Sequence, residues 1–462
     1  MNYSREDTIC ALSTPSGSGA IALIRMSGSK AFDILDTVFS KDKSTFQPNK
    51  VLFGNILNGS ETVDEVLVTC FKGPHSFSGE DTVEISCHGS AFIIQEIMQL
   101  LLNRGARLAT AGEFTQRAFM NGKMDLSQAE AVADLIASTN SASHKVALNQ
   151  MRGGVSNEIG KLREELIHFA SMVELELDFA EEDVEFADRQ DLKDLVDKLL
   201  DSSQKLTDSF QLGNAIKKGI PVAIVGVPNV GKSTLLNAIL NEEKAIVSEI
   251  AGTTRDSIED TVVLDGIEFR FVDTAGLRET SDTVETIGIE RSLKKAREAS
   301  IILYLVDAAD NNLDRIHATV KEFEDNILEK HQKLFIVVNK IDRIQDIKKL
   351  KSAYQAFEEV VFVTAKEKQG LDELKTRLLS VVDKEKLGTD NLIITNQRHY
   401  EALKQAVDSL QRVRDGLDNN ITGDFLAIDI RETLRHLGNI TGEIEIDRDI
   451  LGNIFGKFCI GK

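Results

Sequence analysis

The chain has no tryptophan, four tyrosines, five prolines and four cysteines among its 462 residues, and it holds fewer cations than anions. Each shortage excludes something. Without tryptophan and with so few tyrosines there is no obvious aromatic platform for stacking bases, although 22 phenylalanines remain. Cys10, Cys70, Cys87 and Cys459 are scattered with no CxxC pair, which excludes a disulfide framework or zinc pattern and fits a reducing, cytoplasmic setting. Lys and Arg total 54 against 74 Asp and Glu, a formal charge of -20. Binding that coats nucleic acid rests on Lys and Arg neutralising phosphates, so any RNA contact is local or shared with a partner. No apolar run approaches the roughly 20 residues that cross a bilayer. The first thirty residues carry Arg5, Glu6 and Asp7 with no export pattern, so no membrane role is expected. A 42% hydrophobic, 28% charged composition is that of a globular protein, and the length predicts about three domains.

Local patterns divide the chain. To about residue 120, short β-branched runs (Thr8 to Ser13, Ala20 to Met26, Val51 to Leu57, Val66 to Phe71, Thr82 to Cys87) read as strands. Ile93, Ile94, Ile97, Met98 and Leu101 mark a helix that Gly105 stops. This is a small α/β domain. Ser127 and Glu130 form a capping-box pair ahead of a helix with Ala129, Val132, Ala133 and Ile136 on one face, and helical patterns continue to about Leu212. From Lys217 to about 382 strands alternate with helices, the mark of a parallel α/β sheet. The tail is helical again, with Tyr400, Leu403, Val407 and Leu410 on one helix and Phe425, Ile428 and Leu434 on another before Gly438. The expected organisation is therefore an α/β domain over 1-121, a helical domain split between 122-214 and 384-462, and an α/β module inserted over 219-382.

The inserted module carries the chemistry. Gly226-Val-Pro-Asn-Val-Gly-Lys-Ser233 matches GxxxxGK[ST] between the apolar run Val222 to Val225 and a helical pattern over Thr234 to Leu240. In such a loop backbone N–H groups curl around phosphates, Lys232 reaches the outer phosphates and Ser233 ligates Mg²⁺. The loop residues Asn229, Val230, Gly231 and Thr234 complete the cradle. Asp273-Thr274-Ala275-Gly276 follows the run Phe269 to Val272, placing Asp273 near the metal through water and the Gly276 amide at a γ-phosphate. Between these lies Gly252-Thr253-Thr254-Arg-Asp256, whose Thr254 suits the magnesium. Asn339-Lys340-Ile-Asp342 follows Phe335 to Val338: one carboxylate, Asp342, can accept both N–H donors of guanine's Watson–Crick edge, and adenine has no such pair. Thr364-Ala365-Lys366 follows Val360 to Val363, where a backbone amide reads the guanine oxygen. The Asp273 to Gly276 turn alone is weak, and NKID alone is usually a polar turn. Their order and spacing together predict a P-loop GTPase. After Gly276 stands Leu277, which cannot orient a water, so Arg278, Glu279, Asp282 and Glu285 compete for that task with the plainer reading of a solvated loop.

These motifs, with Gly112-Glu-Phe-Thr-Gln-Arg-Ala-Phe119, Asn121-Gly-Lys-Met-Asp-Leu-Ser-Gln-Ala-Glu-Ala131 and Phe458-Cys-Ile-Gly-Lys462, make the chain resemble the MnmE (TrmE) family of tRNA-modification GTPases over nearly its whole length. The resemblance implies that Glu285 orients the attacking water. It also implies that K⁺ replaces an arginine finger, held by Asn229 and by Ser248, Ile250 and Thr253 of the loop Ser248-Glu249-Ile250-Ala251-Gly252-Thr253. Ser248 departs from the expected Thr. It further implies a homodimer whose G domains pair, and an N-terminal domain that binds 5-formyl- or 5,10-methylene-tetrahydrofolate through Arg25, Glu84, Lys123 and Lys462. Cys459 becomes a reactive thiol near the folate. The partners implied are tRNA and an FAD protein of MnmG (GidA) type, which together install (carboxymethyl)aminomethyl groups on the wobble uridine. Without the resemblance, Arg25, Glu84 and Lys123 read as surface charges and Cys459 as a packed thiol. His88 and the acidic run Glu174 to Glu185 do not make a metal site. Two other classes compete: a ribosome-assembly switch GTPase, which wants a basic RNA-binding domain after the G domain, and a dynamin-like mechanical GTPase, which wants a basic amphipathic membrane segment.

Overall fold

The structure is a computed structural model and describes residues 7-178, 189-243, 260-272, 297, 299-310, 312-326, 328, 332-381, 392-419, 421-442 and 461. It divides into two compact units, one of Met1–Ile136, Leu148–Asp201 and Ala402–Lys462 and the other of Ala137–Ala147 and Ser202–Glu401. The architecture is multidomain, α/β with helical segments.

The first unit opens with β1 (Ile9–Leu12), β2 (Ile21–Ser27), α1 (Ala31–Asp36), β3 (Val51–Asn58), β4 (Glu61–Phe71), β5 (Thr82–His88), α2 (Ala91–Asn103), β6 (Arg107–Leu108) and α3 (Glu113–Met120). The six strands form one sheet in the order β3-β4-β5-β2-β1-β6, antiparallel except for β1 with β6. One face is core: Ile24, Met26, Val66, Val68, Val83 and Ile85 meet Ile34 and Leu35 of α1 and Ile97 and Leu101 of α2. Helix α2 ends where Gly105, at φ +101, lets Ala106 N–H reach back to Leu101 O.

Helices α4 (Leu126–Ala137), α5 (Ser141–Met151), α6 (Gly154–Asp178) and α7 (Arg189–Lys218) follow. The capping box at the start of α4 is not the pair Ser127 and Glu130. Asp125 and Gln128 exchange backbone-to-side-chain hydrogen bonds of 2.9 and 3.0 Å, and Ser127 lies inside the helix with its hydroxyl buried. Aspartate caps as well as serine, and the S-x-x-E pattern was read two residues late. Near the other end, α12 (Gln397–Asp418) buries Leu403 and Leu410, as the spacing predicts, and α13 (Gly423–Thr441) packs on α6. Here the expected face is wrong. Phe425 and Ile428 are 64% and 62% exposed, while Leu426, Ile430, Thr433, Leu437 and Ile440 form the buried stripe. Gly438 is helical, and Gly442 in the left-handed region ends the helix instead.

The second unit holds β7 (Ile220–Gly226), α8 (Lys232–Glu243), β8 (Asp260–Leu264), β9 (Ile267–Phe271), β10 (Ile301–Asp307), α9 (Leu313–Asn326), β11 (Lys333–Asn339), α10 (Ile347–Ala353), β12 (Val360–Phe362) and α11 (Leu371–Ser380). Its sheet runs β12-β11-β10-β7-β9-β8, parallel but for the β8-β9 hairpin. Both faces are covered, which is why β10 reads Ile-Ile-Leu-Tyr-Leu-Val without alternation. Ile301, Leu303 and Leu305 join the cluster with α8 and α11, while Ile302, Tyr304 and Val306 join the one with Ile316 and Phe323 of α9.

The most deeply buried charge among the described residues of the first unit is Glu113. Glu113 is fully buried and accepts from Arg107 at 2.6 and 3.0 Å, from Arg117 at 3.1 Å and from the Thr110 N–H at 2.8 Å. Both arginines also bond Asp7, and Arg117 bonds Glu80. Burial alone would raise the Glu113 pKa, but these donors outweigh it and hold the carboxyl below its ordinary value. Glu113→Gln leaves the guanidiniums facing a neutral group, and the expected cost is about 3–5 kcal/mol of that unit's stability in urea unfolding. Because the native pKa is depressed, the ionised carboxylate contributes above the ordinary carboxylate range of about 4.3, and that contribution is lost as pH falls through the lower native value. The gap between wild type and variant is therefore expected to close in acid.

Candidate functional site

Parallel pairing brings the carboxyl ends of three strands together. Leu305 of β10 lies opposite Gly226 of β7, and Asp307 opposite Asn339 of β11. The loop from Gly226 to Gly231 then turns into α8. Its glycines are required by geometry. Gly226 has φ +153 and a Cβ there would stand 2.5 Å from Leu305 O; Gly231 has φ +103 and its Cβ would stand 2.4 Å from Asn339 Nδ2. Asn229 takes the left-handed conformation that asparagine tolerates. Lys232 folds over the loop, donating to Gly226 O at 2.7 Å and Val227 O at 3.1 Å, and burial lowers its pKa. Ser233 is half-buried and Thr234 exposed at the first turn of α8, whose N–H groups point toward the loop.

Asn339 joins three loops. Its Nδ2 donates to Val230 O at 2.9 Å and its Oδ1 accepts from Ala365 N at 3.0 Å, both bonds buried. Lys340, left-handed at φ +65, donates to Asn229 O at 2.7 Å and to Asp307 Oδ2 at 2.8 Å. Asp342 and Lys366 are exposed beside them, and Thr364 is buried. The structure thus assembles Asn229, Val230, Gly231, Lys232, Asn339, Lys340 and Ala365. Asp307 is an addition that the sequence reading missed. Its signal was an acid closing the apolar run of β10, and its carboxyl is held below its ordinary value because the Lys340 bond and the Ala309 N–H outweigh burial. Ser248, Glu249, Ile250, Ala251, Gly252, Thr253, Thr254, Asp273, Thr274, Ala275, Gly276 and Glu285 lie outside the described residues, as do Cys459 and Lys462.

In the first unit Arg25 and Glu84 are cross-strand partners on β2 and β5. Arg25 Nε and Nη2 donate to Glu84 Oε1 at 2.9 and 2.8 Å. The guanidinium sits 5.3 Å from the ring centre of Phe77 and 5.7 Å from that of Phe114. Phe77 belongs to the 73-81 loop, which Asn121 holds through Ser78 O and Lys123 through Pro74 O. Lys123 therefore braces this loop and does not itself meet Glu84. Near the chain's end Gly461 O accepts from Ser13 Oγ at 2.9 Å, and Gly461 is left-handed with its Cβ position 2.1 Å from Leu12 O.

Two family models match the chain: GTP-binding protein TrmE N-terminus over residues 8–123 and MnmE helical domain over residues 126–459. Curated relatives named tRNA modification GTPase MnmE include those of Christiangramia forsetii (54% identical), Flavobacterium johnsoniae (53%) and Bacteroides fragilis (52%). Each match covers 99% of this chain, and 99%, 99% and 100% of the relative respectively. Among solved structures, Aquifex aeolicus Era matches at 26% identity over 41% of this chain and 66% of that one, with a TM-score of 0.27 too low to add weight. Full-length identity above half, with both family models in chain order, establishes that the chain belongs to the MnmE (TrmE) family.

Proposed function

We propose that this chain is a tRNA-modifying GTPase that binds GTP with Mg²⁺ and K⁺. With an FAD protein of MnmG (GidA) type, it would add (carboxymethyl)aminomethyl groups to the wobble uridine of tRNA from a tetrahydrofolate one-carbon unit. The observation that carries the GTP reading is the buried Asn339 amide, which locks the phosphate-loop, guanine-motif and Thr364-Ala-Lys366 segments into one site. The residues present fit the nucleotide. The Gly226 to Gly231 loop turns into α8, Lys232 is an amine held at that loop, and Asp342 stands exposed for the guanine edge. Since the Ala365 N–H is committed to Asn339, the Lys366 N–H serves the guanine oxygen. In this reading Ser233 and Thr254 ligate Mg²⁺, which offsets charge on the phosphates, while Asp273 and Gly276 sense its presence and the γ-phosphate. Asn229, Ser248, Ile250 and Thr253 hold K⁺, and Glu285 orients the water.

The folate reading rests on Arg25 and Glu84. Both Arg25 bonds fall on Glu84 Oε1, so Oε2 remains for an N–H donor of a pterin, and Phe77 offers a partly exposed ring beside it. We retain the domain boundaries 1-121, 122-214, 219-382 and 384-462, a cytoplasmic homodimer, and a role for Lys123, Lys462 and Cys459 at this site. A ribosome-assembly switch is disfavoured by the names of the full-length relatives.

Two measurements test the reading. GTP hydrolysis is expected to be faster in K⁺ than in equimolar Na⁺, and Glu285→Ala to lower kcat about 100-fold, the scale of a lost positioned proton acceptor. Equal rates in both salts would overturn the ion-for-arginine mechanism. Gly231→Ala combines a left-handed backbone with overlap on Asn339, each costing about 1–3 kcal/mol, so GDP affinity by fluorescence titration is expected to fall at least about 30-fold.

A further inference from the structure

Glu84, Ser86 and His88 alternate along β5 with buried Val83, Ile85 and Cys87, so their side chains share the face turned from the core. Arg25 meets Glu84 on that face. His88 stands four residues further on, about 14 Å along the strand at ~3.4 Å per residue, opposite Ile21 of β2. Its ring is held by one group. Asp64 of β4 accepts from His88 Nδ1 at 2.7 Å and from the His88 backbone N–H at 2.8 Å. The Asp64 side chain is 7% exposed and that of His88 67%. A buried carboxylate is costly unless its oxygens are satisfied, and here both are engaged by one histidine. A clasp between strand ends needs only the backbone bond; the bond to the ring adds orientation. A carboxylate at Nδ1 calls for the proton there, which leaves the Nε2 lone pair facing outward, the arrangement of an oriented base. Nε2 has no partner among the described residues.

We propose that His88 is a proton acceptor of the N-terminal site, taking a proton at Nε2 from the primary amine that the modification consumes. The inference rests on the one-carbon reading and names a residue that serves it. An amine arrives at neutral pH as an ammonium, which has no lone pair. When Nε2 takes one N–H proton, the bonding pair stays on the amine nitrogen, and the resulting imidazolium keeps its Nδ1–H on the Asp64 carboxylate. No oxidant or further reactant is needed. Among the described residues, the charged side chains that β4 brings to this end of the strand are Asp64 and Glu65, while β2 contributes the apolar Ile21.

The test uses the full-length chain, 5-formyl-tetrahydrofolate and the partner flavoprotein. Nitrogen-15 NMR of the histidine rings is expected to show His88 protonated at Nδ1, with ring signals that move when 5-formyl-tetrahydrofolate is added. In His88→Gln the modification rate is expected to fall about 100-fold near neutral pH. The deficit should narrow as pH rises and the amine loses its proton unaided. Asp64→Asn keeps an acceptor beside the ring and should show a smaller deficit of the same shape, which also covers a misfolded His88→Gln. A deficit constant at every pH marks a structural clasp and overturns the proposal, as do ring signals unmoved by a folate that binds. Failure of the wild-type chain to bind the folate sinks the one-carbon reading itself.

Discussion

One side-chain amide holds the nucleotide end of the second unit together. Val230, Asn339 and Ala365 come from segments more than a hundred residues apart at the extremes, and the two hydrogen bonds of Asn339 are the points at which their backbones converge. Such bonds contribute little net in themselves, about 0.5–1.5 kcal/mol each, but a buried carbonyl or N–H left without its partner costs about 1–3 kcal/mol. The amide therefore acts chiefly by making other arrangements expensive. Everything near it follows: Gly231 must be glycine because the amide occupies the place of its side chain, and Lys340 is delivered to Asn229 and Asp307.

The first unit solves a related problem with charge. Glu113 and Arg117 sit in the Gly112 to Phe119 motif, and the ion cluster they form with Arg107, Asp7 and Glu80 fixes the helix that carries Phe114. Phe114 in turn floors the Arg25 guanidinium. Much of this motif is thus foundation for the Arg25–Glu84 pair. Removing the Glu113 charge and removing one from the pair are different experiments, since Glu113 is fully enclosed and the pair is partly open to water.

The sequence was most legible where a rule leaves little choice. The apolar, β-branched runs at Ala20, Thr82, Val222 and Phe335 became β2, β5, β7 and β11; in β7 and β11, covered on both faces, little other composition is available. The phosphate loop was legible for a similar reason, as few chemistries place glycines and a lysine at that spacing between strand and helix. It failed where two local patterns compete. Phe425 and Ile428 share a helical face as well as Leu426, Ile430 and Leu437 do, and only the position of α6 decides which is inside. Gly438 and Gly442 are both plausible stops, and the backbone takes the left-handed turn at the second. The Asp125 cap was hidden behind a better-known pattern two residues on. Tertiary pairs such as Asp307 with Lys340 and Asp64 with His88 have no local signature, since the partners are 33 and 24 residues apart.

The register of β7, β10 and β11 bears on how such a chain can vary through descent. Side chains on a strand alternate with period two, so one inserted residue before Asp307 would turn it and its neighbours to the opposite face. Swaps among Ile, Leu and Val of similar volume within Ile301–Val306, by contrast, usually cost under about 1.5 kcal/mol. These strands are therefore free to drift in composition but not in length. A change of length within them would cost far more than a substitution, and the loops that join them can absorb a length change that the strands cannot.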